Sequence, residues 1–338
     1  MGLKIGVVGL GRVGAFHVGA LSALDAVDEL FVTDVVPAAV ESVAGRYSGA
    51  RGRADADAVL ASGVDGVVIA SATVGHAALI EQSVAAGIAV FCEPPIAMSS
   101  GESAAVVDRC GGSGVPVAIG YHRRFDPAIS AVRAAVASGE LGFITSARST
   151  TLDPAPPPMS YVARSGGIFR DRAVHDFDTL RWVLGADVVE VYATGANQGD
   201  PEFTAHDDVD SATVILTFES GTMGVVSATR YNGRGHDCRV EVHGSTDSVV
   251  AGWDPGTPVR NLDPGCAFPD SSPRSIYMDR FARAYRRELG EFCDLVGGAA
   301  SSSLCTMDDA LAVALIADAA TVSLHEKRPV RIDEIAEA

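Results

Sequence analysis

A glycine-rich turn near the start of the chain constrains its fold more than any other feature. An apolar run over residues 4–9 ends in this turn, and a segment of helical length follows it. The turn reads Gly9-Leu10-Gly11-Arg12-Val13-Gly14. A strand, a G-x-G-x-x-G turn and a helix in this order are typical of a βαβ unit that holds a dinucleotide phosphate at the helix N-terminus. We therefore predict that every residue of the turn except Leu10 contacts a dinucleotide.

Asp34 ends the second strand of this pattern and lies twenty residues beyond Gly14. An acidic side chain at this place accepts hydrogen bonds from ribose hydroxyls and repels a 2′-phosphate. The position of Asp34 therefore predicts NAD as the cofactor, in preference to NADP.

Polar residues also follow later strands at the carboxyl edge of the predicted sheet, where open α/β sheets bind their ligands. Ser71, Thr73 and His76 come after one apolar run, and Glu93 and Pro94 come after the next. We expect all five to lie in the cofactor pocket. For His76, a plain role at the start of a helix is an equally good interpretation.

Two kinds of pattern divide the chain. As far as Gly120, short apolar runs alternate with segments of helical length, which is typical of parallel strands joined by crossover helices. These runs cover residues 4–9, 30–33, 66–70, 89–92 and 115–119. Beyond Gly120, strand-like runs with a hairpin turn at 219–221 predict an α+β domain with an open, mainly antiparallel sheet. We place an α/β Rossmann domain with a doubly wound parallel sheet at 1–122. A substrate-binding and oligomerisation domain follows at 123–338, and its last helix can pack back on the first domain.

Charge and cysteine content exclude several kinds of partner. The chain has 26 Lys and Arg against 43 Asp and Glu, a formal net charge of −17 that repels nucleic-acid phosphates and anionic lipid. No apolar run approaches the roughly 18 residues of a membrane-spanning helix, and the start does not resemble a secretion signal, so we expect a cytoplasmic protein. The six cysteines lack metal-site spacing, which predicts reduced, mostly buried thiols. Residues 206–208 and 236–238 include metal-capable side chains, but neighbours in sequence seldom converge on one ion, so we predict no bound metal.

Three further segments, read in order behind the glycine turn, carry a family resemblance. They are Glu93-Pro94-Pro95, residues 120–127, and residues 166–178, which open a helix. Together they resemble the Gfo/Idh/MocA family, which includes glucose-fructose oxidoreductase and inositol dehydrogenases, over nearly the whole chain. The resemblance implies hydride transfer between nicotinamide and a secondary alcohol or ketone of a sugar, aminosugar or cyclitol. It also implies a homodimer or homotetramer assembled through the second sheet.

The resemblance further implies a catalytic Asp-x-x-x-His pair, which in this chain is Asp171 and His175. Residues four apart on a helix are neighbours, so Asp171 can orient or tune His175. A histidine, with an ordinary pKa of about 6.5, suits the role of general base at neutral pH. Taken without the family, such a pair is more often a surface or helix-start feature.

Pro94 is the main departure from the family, whose pattern has lysine at this place, and a proline side chain cannot donate or relay a proton. Three explanations stay open. In the first, His122 or Tyr161 reaches the substrate oxygen instead, and the charge comes from Arg123, Arg170 or Arg172. In the second, the chain is a sensor that binds NAD and a sugar without turnover. In the third, it performs NAD-assisted oxidation and elimination on a glycoside. We favour a dehydrogenase, because a pure sensor has no need of an Asp/His pair.

Arginines make the predicted substrate pocket locally basic despite the acidic total. They are Arg123, Arg124, Arg164, Arg170 and Arg172. This charge suits an anionic or phosphorylated substrate, but salt bridges to Asp126, Asp176 and Asp178 explain it equally well.

Overall fold

The computed structural model describes residues 2–269, 271–299 and 303–337. The chain divides into two compact units, the first formed by Met1–Phe125 with Arg283–Leu311 and the second by Asp126–Ala282 with Ala312–Ala338. The first unit thus extends three residues past the expected boundary and takes in a later segment that the sequence pattern places in the second domain.

The first unit contains a six-stranded sheet in the order β3-β2-β1-β4-β5-β6, with every pair parallel. Its strands are β1 (Leu3–Val8), β2 (Val27–Thr33), β3 (Ala50–Gly52), β4 (Gly66–Ile69), β5 (Ala89–Cys92) and β6 (Val117–Ile119). The helices between them are α1 (Arg12–Leu21), α2 (Pro37–Arg46), α3 (Ala56–Leu60), α4 (His76–Ala85) and α5 (Ser100–Cys110). The predicted doubly wound parallel sheet is confirmed. Only β3 is absent from the predicted runs, because this edge strand is largely exposed and has no large apolar side chain.

Strand order in this sheet reverses between β1 and β4, which are neighbours. At such a switch point the connections leave to opposite sides and open a crevice at the carboxyl ends of the strands. The glycine turn follows β1 and Ser71 follows β4, so the topology brings both to this place.

The second unit contains a seven-stranded sheet in the order β12-β11-β7-β10-β9-β8-β13. Its strands are β7 (Ile144–Leu152), β8 (Val188–Ala196), β9 (Ser211–Phe218), β10 (Met223–Thr229), β11 (Asp237–Gly244), β12 (Ser248–Ala251) and β13 (Val330–Arg331). All pairs are antiparallel except β7 with β10. The prediction of a mainly antiparallel sheet is confirmed. The parallel pair is possible because two other strands and several helices separate β7 from β10 along the chain, which leaves room for a crossover.

Helices of the second unit cover one face of its sheet, and α8 contacts both β7 and β10. The unit includes α6 (Pro127–Ser138), α7 (Met159–Ser165), α8 (Val174–Leu184), α9 (Glu202–Ala205) and α12 (Ile332–Ala336), while α10 (Tyr277–Val296) and α11 (Met307–Glu326) contribute residues to both units. Burial alternates along β9, where Val214 and Leu216 are buried and Ile215 is exposed. One sheet face is therefore packed and the other is open.

The cysteines are all free thiols, and five of the six are buried. Burial, reinforced by Asp294, raises the pKa of Cys293 to about 12. The prediction of mostly buried thiols is confirmed. No helix among the described residues is long and apolar enough to cross a membrane. Nor does this part of the chain contain a group of three or more side chains suited to hold a metal ion.

Candidate active site

The three glycines of the turn have different local surroundings. Gly9 has φ +94°, and a Cβ added there would lie 2.5 Å from the Ser71 nitrogen. A Cβ on Gly14 would lie 1.9 Å from the Gly9 carbonyl oxygen. A Cβ on Gly11, by contrast, would have nothing within 4 Å. The fold itself requires the outer two glycines, whereas the middle one leaves open space beside the backbone.

Helix α1 begins directly behind this open space. Gly11 is its N-cap and offers no side-chain cap to the first amide groups of the helix. Arg12 is exposed and Val13 is half-buried in the first turn. Uncapped amide groups and the positive end of the helix dipole form an anion site, so a pyrophosphate fits here.

Asp34 lies beyond the end of β2 and contacts the glycine turn. Its Oδ2 accepts a hydrogen bond from the Leu10 amide at 2.6 Å, and its Oδ1 accepts one from the Val36 amide at 2.8 Å. A carboxylate has about four acceptor positions, so lone pairs remain for ribose hydroxyls. Asp34 thus shapes the turn as well as offering acceptors to a ligand.

Ser71 and His76 occupy the loop after β4. The Ser71 hydroxyl oxygen is buried and has no hydrogen-bond partner among the described residues, so it can serve a ligand. The ring of His76 is buried, with Nδ1 2.8 Å from the Pro95 carbonyl oxygen and Nε2 3.0 Å from that of Ser71. His76 therefore links two loops at the sheet edge. Thr73 begins the short 3-10 helix that lies between Ser71 and His76 in the sequence.

Glu93 pairs with a histidine that the sequence analysis did not select. His17 Nε2 lies 2.6 Å from Glu93 Oε1, and the His17 side chain is fully buried. Its ring meets Phe91 edge-on. This pair joins the end of β5 to α1, and Pro94 follows it. A polar residue on the buried face of a predicted helix is the signal that could have identified His17.

These surroundings fit a dinucleotide. The open space at Gly11 and the uncapped α1 suit its phosphates, the Asp34 carboxylate suits a ribose, and the unpartnered Ser71 hydroxyl offers a further hydrogen bond.

The segment after β6 is more enclosed than the sequence suggests. His122 is 3% exposed, and its ring stacks on Tyr285 with the centroids 4.1 Å apart. Arg123 is buried too, and Arg124 donates to Asp309 at 3.1 Å. A contact of His122 or Arg123 with substrate stays a prediction.

Asp171 and His175 lie in the second unit, where the helix begins irregularly. Asp171 is in a π-helical turn, Phe169–Ala173, and His175 is in the first turn of α8. Both are half-buried. The sequence predicts a regular helix here, and the composition carries no signal for the π-helical turn. Such turns are frequent at functional sites.

Asp176 attaches this helix to the sheet. Its Oδ1 accepts hydrogen bonds from the hydroxyls of Ser149 at 2.5 Å and Thr151 at 2.6 Å, both on β7. Because Asp176 adjoins His175, these bonds anchor the backbone that carries the histidine.

Two donors hold the Asp171 carboxylate, one on each oxygen. Tyr161 of α7 donates its hydroxyl to Oδ1 at 2.6 Å, and Arg230, which follows β10, donates Nη1 to Oδ2 at 2.9 Å. Burial and the neighbouring Asp171 raise the pKa of Tyr161 well above its usual range, so its hydroxyl keeps the donated proton. We call Asp171, Tyr161 and Arg230 the Asp171 clamp.

Arg230 also lies near a second carboxylate. Its Nη2 is 3.6 Å from Asp208 Oδ2, while Asp208 Oδ1 accepts from the Ile168 amide at 2.8 Å, just before the π-helical turn. Burial raises the pKa of Asp208. Neither residue could be found from the sequence pattern, since 59 positions separate Arg230 from Asp171 and 40 separate Asp208 from Ile168.

Arg172 and Arg170 both pair with carboxylates. Arg172 Nε lies 2.8 Å from Asp153 Oδ2, and His236 Nδ1 lies 3.1 Å from Asp153 Oδ1. Burial alone would raise the pKa of Asp153, but Arg172 and His236 outweigh it and lower that pKa. Arg170 pairs with Asp318. These two pairs support the interpretation that the local arginines form salt bridges.

Two family models cover most of the chain. Residues 3–121 match an oxidoreductase family with an NAD-binding Rossmann fold, named GFO_IDH_MocA, and residues 129–250 match the GFO/IDH/MocA C-terminal domain.

Known proteins match over nearly the full length. An inositol 2-dehydrogenase of Rhizobium meliloti is 36% identical over 98% of this chain and 100% of its own length. A crystal structure of a myo-inositol dehydrogenase from Corynebacterium glutamicum has a TM-score of 0.88 at 32% identity, and covers 98% of this chain and 99% of its own. A scyllo-inositol dehydrogenase from Lactobacillus casei, solved with NAD(H) and scyllo-inositol bound, also has a TM-score of 0.88, at 26% identity, and covers 98% of this chain and 100% of its own.

Proposed function

Because the chain belongs to the Gfo/Idh/MocA oxidoreductase family, we propose that it is an NAD-dependent dehydrogenase acting on a secondary hydroxyl of a cyclitol. The observation that carries this proposal is the clamped Asp171 one turn before His175, in a chain whose first unit offers a dinucleotide site. The relatives named above act on inositols, so inositols are the first substrates to test.

His175 is the general base of the proposed reaction. Its imidazole accepts the proton of the reacting hydroxyl, and the ionised Asp171 stabilises the resulting imidazolium. The two donors on Asp171 hold the orientation of its carboxylate. Bound NAD would supply the acceptor for the hydride that leaves the carbon carrying the hydroxyl.

The first unit holds the cofactor in this proposal. Amide groups at the start of α1 bind its phosphates beside Gly11, and Ser71 donates or accepts a hydrogen bond near the switch point of the sheet. Asp34 accepts from ribose hydroxyls and disfavours a 2′-phosphate, so NAD is preferred over NADP.

Tyr161 is our candidate for the substrate contact that the family lysine makes. Pro94 has no proton to donate, and of the two replacements considered, Tyr161 is 48% exposed while His122 is 3% exposed. The Tyr161 hydroxyl already contacts Asp171, and its oxygen retains an acceptor position for a substrate hydroxyl.

The open sheet face of the second unit supports the proposed homo-oligomer. Tyr192, Ile215 and Met223 are large apolar residues exposed on β8, β9 and β10, and Tyr192 pairs directly with Ile215. Apolar sheet surface of this kind is suited to self-association. Sedimentation velocity should give a dimer or tetramer that Ile215→Arg dissociates, and a monomeric wild type would exclude the assembly.

The experiment that tests the function mixes purified protein and NAD with inositols, hexoses and aminosugars and follows the absorbance of reduced nicotinamide. We expect turnover with at least one inositol. His175→Ala should lower kcat by about a hundredfold or more and leave NAD affinity nearly unchanged.

Pro94→Lys, measured beside the wild type, distinguishes a dehydrogenase from a sensor and from a glycoside-cleaving enzyme. Sugar binding without turnover in the wild type, with turnover restored in Pro94→Lys, would identify a sensor. Cleavage of a glycoside with no accumulation of reduced cofactor would identify the elimination chemistry.

A further inference from the structure

We infer that Arg230 is a positioning residue of this reaction, which acts through Asp171 and never touches the substrate. The inference rests on the proposed function, because it concerns the orientation of the carboxylate that stabilises His175. It adds to that function a residue from outside the helix that carries the Asp/His pair.

The burial of Arg230 limits what it can reach. The residue is 1% exposed, and its guanidinium lies between Asp171 and Asp208. A side chain enclosed in this way cannot meet a substrate that enters from solvent. Its effect on the reaction must therefore pass through a neighbour, and the shorter of its two carboxylate contacts is with Asp171.

Contacts from several elements then fix the orientation of Asp171. Arg230 approaches one carboxylate oxygen from the end of β10, and Tyr161 approaches the other from α7. Asp208 holds the backbone before the π-helical turn through the Ile168 amide. With a donor on each oxygen, rotation of the carboxylate would break at least one hydrogen bond.

The buried charges of Arg230 and Asp208 are not explained by a contribution to stability. Arg230 Nε and Nη2 are buried and have no hydrogen-bond partner among the described residues, and neither has Asp208 Oδ2. Buried charges with unfilled hydrogen-bonding positions commonly destabilise a fold relative to apolar side chains of similar volume. An apolar residue could fill this space at lower cost, which points to a functional reason for the charge.

A double-mutant cycle tests the inference. Arg230→Met removes the charge and keeps much of the volume, Arg230→Lys keeps the charge but alters the geometry, and each is combined with Asp171→Asn. We expect Arg230→Met to lower kcat about a hundredfold and to change KM less than about threefold. In the Asp171→Asn background, Arg230→Met should lower kcat by less than about a further threefold. Arg230→Lys should recover about a tenth of the wild-type kcat.

Two further measurements separate positioning from a general effect on folding. Arg280 is another arginine of the same unit, paired with Asp126 and Asp254, and its side chain is 7% exposed. Arg280→Met should lower the unfolding temperature without coupling to Asp171→Asn in kcat. Urea unfolding of Arg230→Met and of Arg280→Met should show losses of stability of similar size, since each change removes a charge that pairs with two carboxylates, so only the coupling in kcat distinguishes the two arginines.

Each outcome decides a different claim. Independent losses of kcat for Arg230→Met and Asp171→Asn, multiplying in the double variant, would overturn the positioning role while leaving the dehydrogenase proposal intact. If Arg230→Met does not fold, the same cycle with Arg230→Lys distinguishes coupled from independent losses. Absence of wild-type turnover on every polyol would overturn the proposed function first and the role of Arg230 with it.

Discussion

The two sheets of this protein present their candidate sites in opposite ways. The parallel sheet of the first unit carries its site on backbone, in a turn whose glycines leave open space at the start of α1. The mixed sheet of the second unit carries its site on side chains, where Tyr161 and Arg230 hold Asp171 from separate elements. A backbone site is encoded by consecutive residues, whereas a side-chain site is assembled by packing.

This difference has energetic consequences. Changes to the turn should separate into those that damage the fold and those that only obstruct a ligand, because a Cβ on Gly9 or Gly14 would overlap protein atoms and a Cβ on Gly11 would not. Changes to the second site should alter stability and chemistry together, because its charges are partly buried and bonded to one another.

The largest effect is expected from Gly14→Ala. The added methyl carbon would lie 1.9 Å from the Gly9 carbonyl oxygen, so strand and helix must move apart. We expect the free energy of unfolding to fall by about 3 kcal/mol, measured by urea denaturation.

Gly11→Ala is the matched variant, since its methyl group enters open space at φ −62°. The unfolding free energy should change by less than about 1 kcal/mol, and NAD affinity measured by calorimetry should fall at least about tenfold because the methyl group takes space from the pyrophosphate. Equal loss of stability in both variants would contradict the distinction between fold-required and ligand-facing glycines.

Asp153→Asn should give an intermediate effect that depends on pH. At neutral pH the change leaves Arg172 without its carboxylate and should lower the unfolding free energy by about 2 kcal/mol. The pKa of Asp153 is lowered in the folded state, so its stabilising contribution is present above the unfolded pKa of about 3.9 and is lost as pH falls through the folded value. The difference between wild type and variant should therefore shrink below about pH 4.

Asp187→Asn is the control for this prediction. Asp187 also pairs with an arginine of the second unit, Arg181, but its side chain is 62% exposed. The cost should stay under about 0.5 kcal/mol. A pH-independent deficit in Asp153→Asn would show that packing, and not charge, is responsible for its effect.

Asp34→Ser should have a smaller effect on stability than Asp153→Asn. Loss of the acceptor for the Leu10 amide should cost about 1 kcal/mol, while the ratio of NAD to NADP affinity should fall about tenfold. Asp65→Ser is the matched control. Asp65 also accepts a hydrogen bond from a backbone amide, that of Lys4 at 2.8 Å, but it lies at the opposite end of the sheet. An unchanged cofactor ratio in Asp34→Ser would remove Asp34 from the ribose site.

Much of the first unit could be predicted because its signals are local. The run before Gly9, the turn itself and the position of Asp34 each lie within a short stretch. Edge strand β3 was missed because Ala50–Gly52 has little apolar surface to bury. The His17–Glu93 pair was missed because 76 positions separate its members.

The sequence by itself determined the fold class and the family, because backbone conformation and hydrophobic period depend on neighbours along the chain, and it predicted the Asp171–His175 pair. Only the tertiary structure decided that Asp171 is clamped by Tyr161 and Arg230, that His122 is enclosed, and that the local arginines are paired with carboxylates. The physical reason is that hydrogen bonds and ion pairs depend on distances of a few ångströms between side chains. Those distances are set by the packing of helices and strands that are remote from one another in the sequence.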